Sequence, residues 1–186
     1  MTSFYTDKEL NEIGFKFIGK NTQISRNAKF YGVSRISIGD YSRIDDFCVL
    51  SAGKGGIDIG KYVHLAVFVS LQGNGNITMQ DFSGISSKSS IYSSNGDYLG
   101  SHLSNPNVPQ EYQYDISAPV ILKKHALVGC SSIIMQGVTM GKGSVVGVFS
   151  FIKDDCEPFW IYVGNPAKKL KQRSKKILDI EKKINR

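Results

Sequence analysis

Three histidines, His64, His102 and His125, are the side chains of this sequence best suited to moving a proton near neutral pH. They stand 38 and 23 residues apart, so no closely spaced pair exists among them. Three cysteines, Cys48, Cys130 and Cys156, are odd in number and lack C-x-x-C spacing. That pattern argues against a disulfide framework or a cysteine zinc site and reads as small buried hydrophobes. His102 falls in SSNGDYLGSHLSNPNVPQEYQYDISAP, residues 93–119, beside the polar and aromatic side chains Asn95, Asp97 and Tyr98. So long a Ser-, Asn-, Pro- and Tyr-rich stretch is more often functional than idle.

The charge has a narrower meaning than its total suggests. The 186 residues carry 23 Lys and Arg against 16 Asp and Glu, a net +7. That excess alone would suggest nucleic acid or an anionic membrane surface as partner. Positions 165–186 hold nine basic and two acidic residues, which leaves 1–164 neutral. The basicity therefore belongs to the tail. MTSFYTDKEL has no basic n-region followed by an apolar run, and no eighteen consecutive apolar residues occur anywhere, so neither a signal peptide nor a membrane span is expected. The expected location is the cytoplasm.

These side chains need a rigid support, and the sequence supplies one as a period of six. Apolar residues fall at Ile18, Ile24, Phe30 and Ile36, then Ile38, Ile44 and Leu50, then Ile59, Leu65, Leu71 and Ile77, then Met79, Ile85 and Ile91. The last run, Leu122, Val128, Ile134, Met140, Val146 and Ile152, keeps strict period. Glycine often follows the key residue, and small or β-branched residues stand four after it. No amphipathic helix repeats every six residues. Each hexad reads as a short strand and a corner, with one aliphatic side chain filling the interior and the glycine relieving crowding or allowing unusual dihedrals. Three hexads make one triangular coil. Two-residue shifts at Ile36/Ile38, Ile57/Ile59, Ile77/Met79 and Val120/Leu122 read as corner bulges. An antiparallel β-sandwich is the competing fold, and the strict last run disfavours it.

The expected organisation is a single domain: an N-terminal cap over 1–17, a β-solenoid over 18–157 with the 93–119 excursion, and an exit segment over 158–186. Thr6 and Glu9 fit a capping box opening a short helix that Gly14 ends. After Gly164-Asn165-Pro166, the segment AKKLKQRSKKILDIEKKINR reads as a basic amphipathic helix, with Leu170, Ile177, Ile180 and Ile184 facing the coil.

VGCSSIIMQGVTMGKGSVVGVFSFIKDD (128–155) and IYVGNPAKKLKQR (161–173) resemble the late coils and the exit motif of the hexapeptide-repeat acyltransferases. That resemblance implies an all-β fold, a left-handed parallel β-helix, assembled as a homotrimer with acetyl-CoA between neighbouring coils of two subunits. YTDKELNEIGF, IGDYSRIDDFCVLSAG and GDYLGSHLSNPNVPQEY resemble the dTDP-4-amino-4,6-dideoxy-D-glucose acetyltransferase type. The implied activity is N-acetylation of a nucleotide-linked amino sugar for O-antigen or capsule synthesis. Sugar O-acetylation is the alternative, and a non-catalytic scaffold the distant one. A zinc-dependent carbonic anhydrase shares the implied fold, but the wide spacing of the three histidines disfavours it and no metal is expected.

Acyl transfer from a thioester needs a base for the acceptor's proton. IGKYVHLA resembles the IGD-x-x-HIA element of related acetyltransferases, so His64, outward at the end of its hexad, is the expected catalytic residue, as base or at the thioester carbonyl. Asn95, Asp97, Tyr98 and His102 are the implied acceptor-binding residues, and His125 reads as structural or at the rim. Along the cofactor, Cys130 and Val148 match pantetheine contacts. Lys153, Lys168 and Lys171 match residues near the nucleotide end, where cations suit phosphates. The basic tail then has a small anionic ligand to explain it, and nucleic acid becomes the least expected partner.

Overall fold

The structure, a computed structural model, describes residues 3–184. The six-residue period becomes three parallel sheets of stacked strands, one per face of a triangular solenoid. The first face stacks Ile18, Ile38, Ile59, Met79, Leu122 and Met140. The second stacks Ile24, Ile44, Leu65, Ile85, Val128, Val146 and Tyr162. The third stacks Phe30, Leu50, Leu71, Ile91, Ile134 and Ile152. Nearly all are fully buried, so the core is a column of aliphatic layers that each coil extends by one.

The two-residue shifts are not bulges. Ile36, Ile57, Ile77 and Val120 pair in register with one another and are all buried, so each shift adds a second inward residue to the first face. The insertion repeats in successive coils and stacks on itself, which preserves the ladder where an isolated bulge would interrupt it.

At the corners glycine serves two ends, relieving crowding at some positions and taking a left-handed φ at others, as Gly143 does. A Cβ on Gly39 would come within 2.6 Å of the Gly60 backbone, so this glycine answers crowding between coils and has no left-handed φ. Most left-handed positions at two of the corners are nonetheless taken by larger residues: Tyr41, Tyr62, Phe82 and His125 between first and second faces, and Phe47, Phe68, Lys88, Ser131 and Phe149 between second and third. Apart from Phe47, each of these residues donates its N–H to a carbonyl of the preceding coil, as Tyr62 does to Asp40 at 3.0 Å and Phe149 to Cys130 at 2.9 Å. The cost of the conformation is offset by a bond that locks coil to coil. The rings stack in consequence: Tyr41 on Tyr62 at 4.9 Å, Tyr62 on Phe82 at 4.8 Å, and Phe47 on Phe68 at 5.0 Å.

The open first coil is covered by α1, Asp7–Ile13, whose Thr6–Glu9 capping box and left-handed Gly14 terminus both form as the sequence indicated. Its one buried side chain, Leu10, closes the core. The excursion leaves the third face after Tyr92 and returns at Val120, with Ser94–Gly96 pairing antiparallel to Asp115–Ser117 at its base.

The exit segment departs from its expected form. Trp160–Gly164 still pairs in parallel with the second face, so the solenoid runs past Pro158. Ala167–Gln172 then folds back antiparallel on it, and the helix α2 is limited to Ile177–Ile184. The open sheet edge outweighs the helix propensity of the lysines by offering paired backbone hydrogen bonds. Leu170, Ile180 and Ile184 are exposed rather than packed on the coil. The helix is held instead through Glu181, paired with Lys124 and, at 2.7 Å, with Nε2 of His125. No helix among the described residues is long and apolar enough to cross a membrane.

Candidate active site

His64 sits where strand alternation puts it, pointing out from the second face while Leu65 fills the core. Across that face the outward residues are Arg43, His64, Gly84, Leu127, Val145 and Ile161. Of these, His64, Gly84, Leu127 and Val145 form the floor of an open groove of about 660 Å³. Tyr62 and Phe82 wall it on one corner, and Ser86, Ser87, Cys130 and Val148 on the other. Three of the residues expected from the sequence, His64, Cys130 and Val148, thus share one cleft.

The imidazole is not free to swing. Its Nε2 lies 2.8 Å from Oδ2 of Asp45, whose Oδ1 accepts from Arg43 Nε at 2.6 Å. Partial burial pushes the Asp45 carboxyl up, but the bonds from Arg43 and His64 outweigh it and hold the group below the usual carboxylate range. An ionised Asp45 makes Nε2 the donor and leaves Nδ1 with a lone pair for an incoming proton. Asp45 and Arg43 were missed from the sequence. The available signal was register, since Arg43 lies directly beneath His64 one coil earlier.

Cys130 is exposed, unlike Cys48 and Cys156, which corrects the reading of all three as buried. Burial pushes the Cys48 thiol up to about 11 and that of Cys156 to about 12. The groove therefore presents the thiol of Cys130 while the other two are shielded.

The acceptor candidates gather elsewhere. Asn95, Asp97, Tyr98 and His102 belong to the excursion at the corner between third and first faces, and none of them lines the His64 groove of the same chain. Asp97 accepts from the backbone N–H groups of Leu99 at 2.7 Å and His102 at 2.8 Å, and these bonds hold its carboxyl low. Nδ1 of His102 stands 3.5 Å from the same carboxylate. Asn95 accepts from Gln136 Nε2, which ties the excursion to the scaffold. Tyr98 is 81% exposed.

The lysines divide as well. Lys171 pairs opposite Ile161 and Lys168 opposite Val163, which places both on the outer side of the second face, at the far end of the groove floor from His64. Lys153 pairs with Asp154 at 2.9 Å near the Pro166 turn, so its charge is already partnered. His125 is buried, stacked on Phe82 at 5.2 Å and bound to Glu181, a structural role. Among the described residues no group of three His, Cys, Asp or Glu side chains is placed to hold a metal.

No protein-family model matches the chain. An acyltransferase of Escherichia coli named for dTDP-4-amino-4,6-dideoxy-D-glucose is 50% identical over 178 residues, spanning 95% of this chain and 93% of that one. The chain belongs to the dTDP-4-amino-4,6-dideoxy-D-glucose acyltransferase family. Two crystal structures of another N-acyltransferase, AntD of Bacillus cereus, superpose on this family member with a TM-score of 0.94 at 41% identity over its whole length. One, spanning 97% of the AntD chain, holds dTDP and 3-hydroxybutyryl-CoA. The other, a variant spanning 98%, holds dTDP-4-amino-4,6-dideoxyglucose and coenzyme A.

Proposed function

We propose that this acyltransferase moves an acyl group from acyl-CoA to the amine of a dTDP-linked 4-amino-4,6-dideoxyglucose. The observation that carries this reading is the anchored His64–Asp45 pair in an open groove, in a chain 50% identical to the named acyltransferase over 95% of its length. The acceptor nitrogen attacks the thioester carbonyl and its proton passes to Nδ1 of His64. The C–S bond breaks as the amide forms, and the thiolate of CoA takes the proton back from the imidazole. CoA lies along the groove floor past Cys130 and Val148, with its phosphates toward Lys168 and Lys171. We assign acetyl-CoA as a donor, and a cytoplasmic location where CoA and free thiols are kept.

The reading includes a homotrimer. Since the His64 groove and the Asn95–His102 excursion occupy different edges of one chain, a neighbouring copy is needed to bring acceptor to donor. Exposed, stacked Phe47 and Phe68 beside the groove suit such a contact. O-antigen or capsule synthesis is the proposed setting.

A second assignment of the base has one observation in its favour. AntD has been solved as variants at a serine and at an aspartate ten positions apart. Ser87 and Asp97 have that spacing here, Ser87 lining the groove. Asp97 would then take the proton, although its two backbone N–H bonds make it a weak base.

The test is release of CoA thiol from acetyl-CoA with a panel of dTDP-amino sugars and hydroxyl sugars, alongside sedimentation. Release with the amino sugars from a trimer supports the reading. Release with hydroxyl sugars alone turns it toward O-acylation.

A further inference from the structure

We propose that Glu181 is a positioning residue for the groove: through His125 and Lys124 it fixes the Phe82 ring beside which acyl-CoA must pass, an inference that rests on the groove being the acyl-CoA site. Phe82 stands between Tyr62 and His125 at one corner, stacked at 4.8 Å on the first and 5.2 Å on the second. The next residue of that corner, Gly143, has no side chain to continue the column, so the stack ends at His125. The C-terminal segment holds this last ring. Nε2 of His125 lies 2.7 Å from Oε2 of Glu181, and the His125 carbonyl accepts from Arg173 Nη1 at 2.8 Å. Oε1 of Glu181 pairs with Lys124, whose Nζ also sits 5.4 Å from the centre of the Phe82 ring. One carboxylate of α2 thus orders both side chains of the 124–125 corner that pack on Phe82.

The place of that ring gives it a role in binding. Along the floor the order is His64, Gly84, Leu127 and Val145, with Lys171 beyond them opposite Ile161. A CoA arm whose phosphates lie toward Lys168 and Lys171 must cross Leu127 and Gly84 to bring its thioester to His64. At Gly84 the floor carries no side chain, and the wall beside it, two residues earlier in the chain, is Phe82. The Phe82 backbone is fixed, its N–H donating to the Lys61 carbonyl at 2.9 Å, while the half-buried ring is kept at the corner by its stack and by the Lys124 ammonium. A ring released from that stack can tip across the bare floor and narrow the path. The His125 and Glu181 side chains are 9% and 12% exposed, so solvent screens their contact little. Without the carboxylate, His125 and Lys124 lose a nearly buried partner and must turn toward water, away from Phe82.

Calorimetry of CoA binding, run well below the melting temperature of each protein, compares the wild type with Glu181→Ala, Phe82→Leu and the double variant. Glu181→Ala and Phe82→Leu should each bind CoA roughly 5- to 20-fold more weakly, and the double variant no more than about twofold more weakly than Phe82→Leu, because both act through one ring. Glu181→Gln, which keeps an acceptor for His125, should fall between the wild type and Glu181→Ala. Asp179→Asn, which breaks the exposed pair with Lys182 on the same helix, should stay within about twofold of the wild type. In turnover, Glu181→Ala should raise KM for acetyl-CoA and keep kcat within about threefold, since the His64–Asp45 pair is untouched. Losses that multiply in the double variant, wild-type CoA affinity in Glu181→Ala or Phe82→Leu, or an equal loss in Asp179→Asn would overturn the proposal. A wild type that binds no CoA refutes the acyltransferase reading itself.

Discussion

Nε2 of His64 is held 2.8 Å from Oδ2 of Asp45, a residue of the preceding coil, and Arg43 holds the other carboxylate oxygen. The arrangement fixes the ring from behind and turns Nδ1 outward. A flexible surface histidine would have neither property. The pair exists because coil length, not local sequence, stacks His64 on Arg43 and so brings Asp45, two residues on, beside the ring.

His64→Ala is expected to lower kcat by roughly 10²- to 10⁴-fold, as for a positioned acid–base group. Asp45→Asn should lower kcat by about tenfold, while KM for the CoA substrate stays within about threefold, because Asp45 positions the ring without touching substrate. Steady-state kinetics of both variants check this. A His64→Ala enzyme with full turnover moves the base to Asp97, and Asp97→Asn is the companion measurement.

Thiol labelling at pH 8 should modify Cys130 rapidly and leave Cys48 and Cys156 untouched in the folded protein, since burial holds the latter two at about 11 and about 12. Saturating CoA should slow labelling of Cys130. Peptide mass mapping reads both results, and labelling unaffected by CoA would place the cofactor elsewhere.

Gly39→Ala and Gly84→Ala should differ, since a Cβ on Gly84 would meet nothing nearer than Leu127 Cδ2 at 3.4 Å and should leave the melting temperature no lower. The first places a Cβ 2.6 Å from the Gly60 carbonyl carbon and oxygen, both backbone atoms of the next coil. It should destabilise by roughly 1–3 kcal/mol, as overpacking does, and lower the melting temperature measurably.

Acid should loosen both ends of the molecule first. The Arg26 hydrogen bond, then those from Thr6, lower the Glu9 carboxyl from 4.5 to about 2. Glu181 is lowered by its bond to Lys124, with burial opposing and His125 assisting. A folded pKa below the unfolded one stabilises above the unfolded value and is lost as pH falls through the folded one. Stability should therefore decline below about pH 4.5, and Glu9→Gln should flatten that decline; circular dichroism melts from pH 6 to pH 2 show whether it does.

The solenoid was readable because each hexad carries its own inward residue, so the period survives even where coil length varies. Ile18, Ile38, Ile59 and Met79 stack at intervals of 20, 21 and 20 residues, and Leu122 follows Met79 only after 43. The same variation hid Asp45. A period of six does not say which outward residue lies above which, and the His64–Asp45 contact depends on that register. The tail was misread because helix propensity and charge pattern favour a helix in AKKLKQ, while the edge of the second face is visible only in the folded chain. Asn95, Asp97, Tyr98 and His102 were legible as a polar group, and the edge they occupy was not.

The most direct measurement is mass spectrometry of the product formed from acetyl-CoA and dTDP-4-amino-4,6-dideoxyglucose, with CoA thiol followed in parallel. An N-acetylated nucleotide sugar formed one-for-one with released thiol is the predicted result. Acceptor recovered unmodified, from protein that binds CoA, would contradict it.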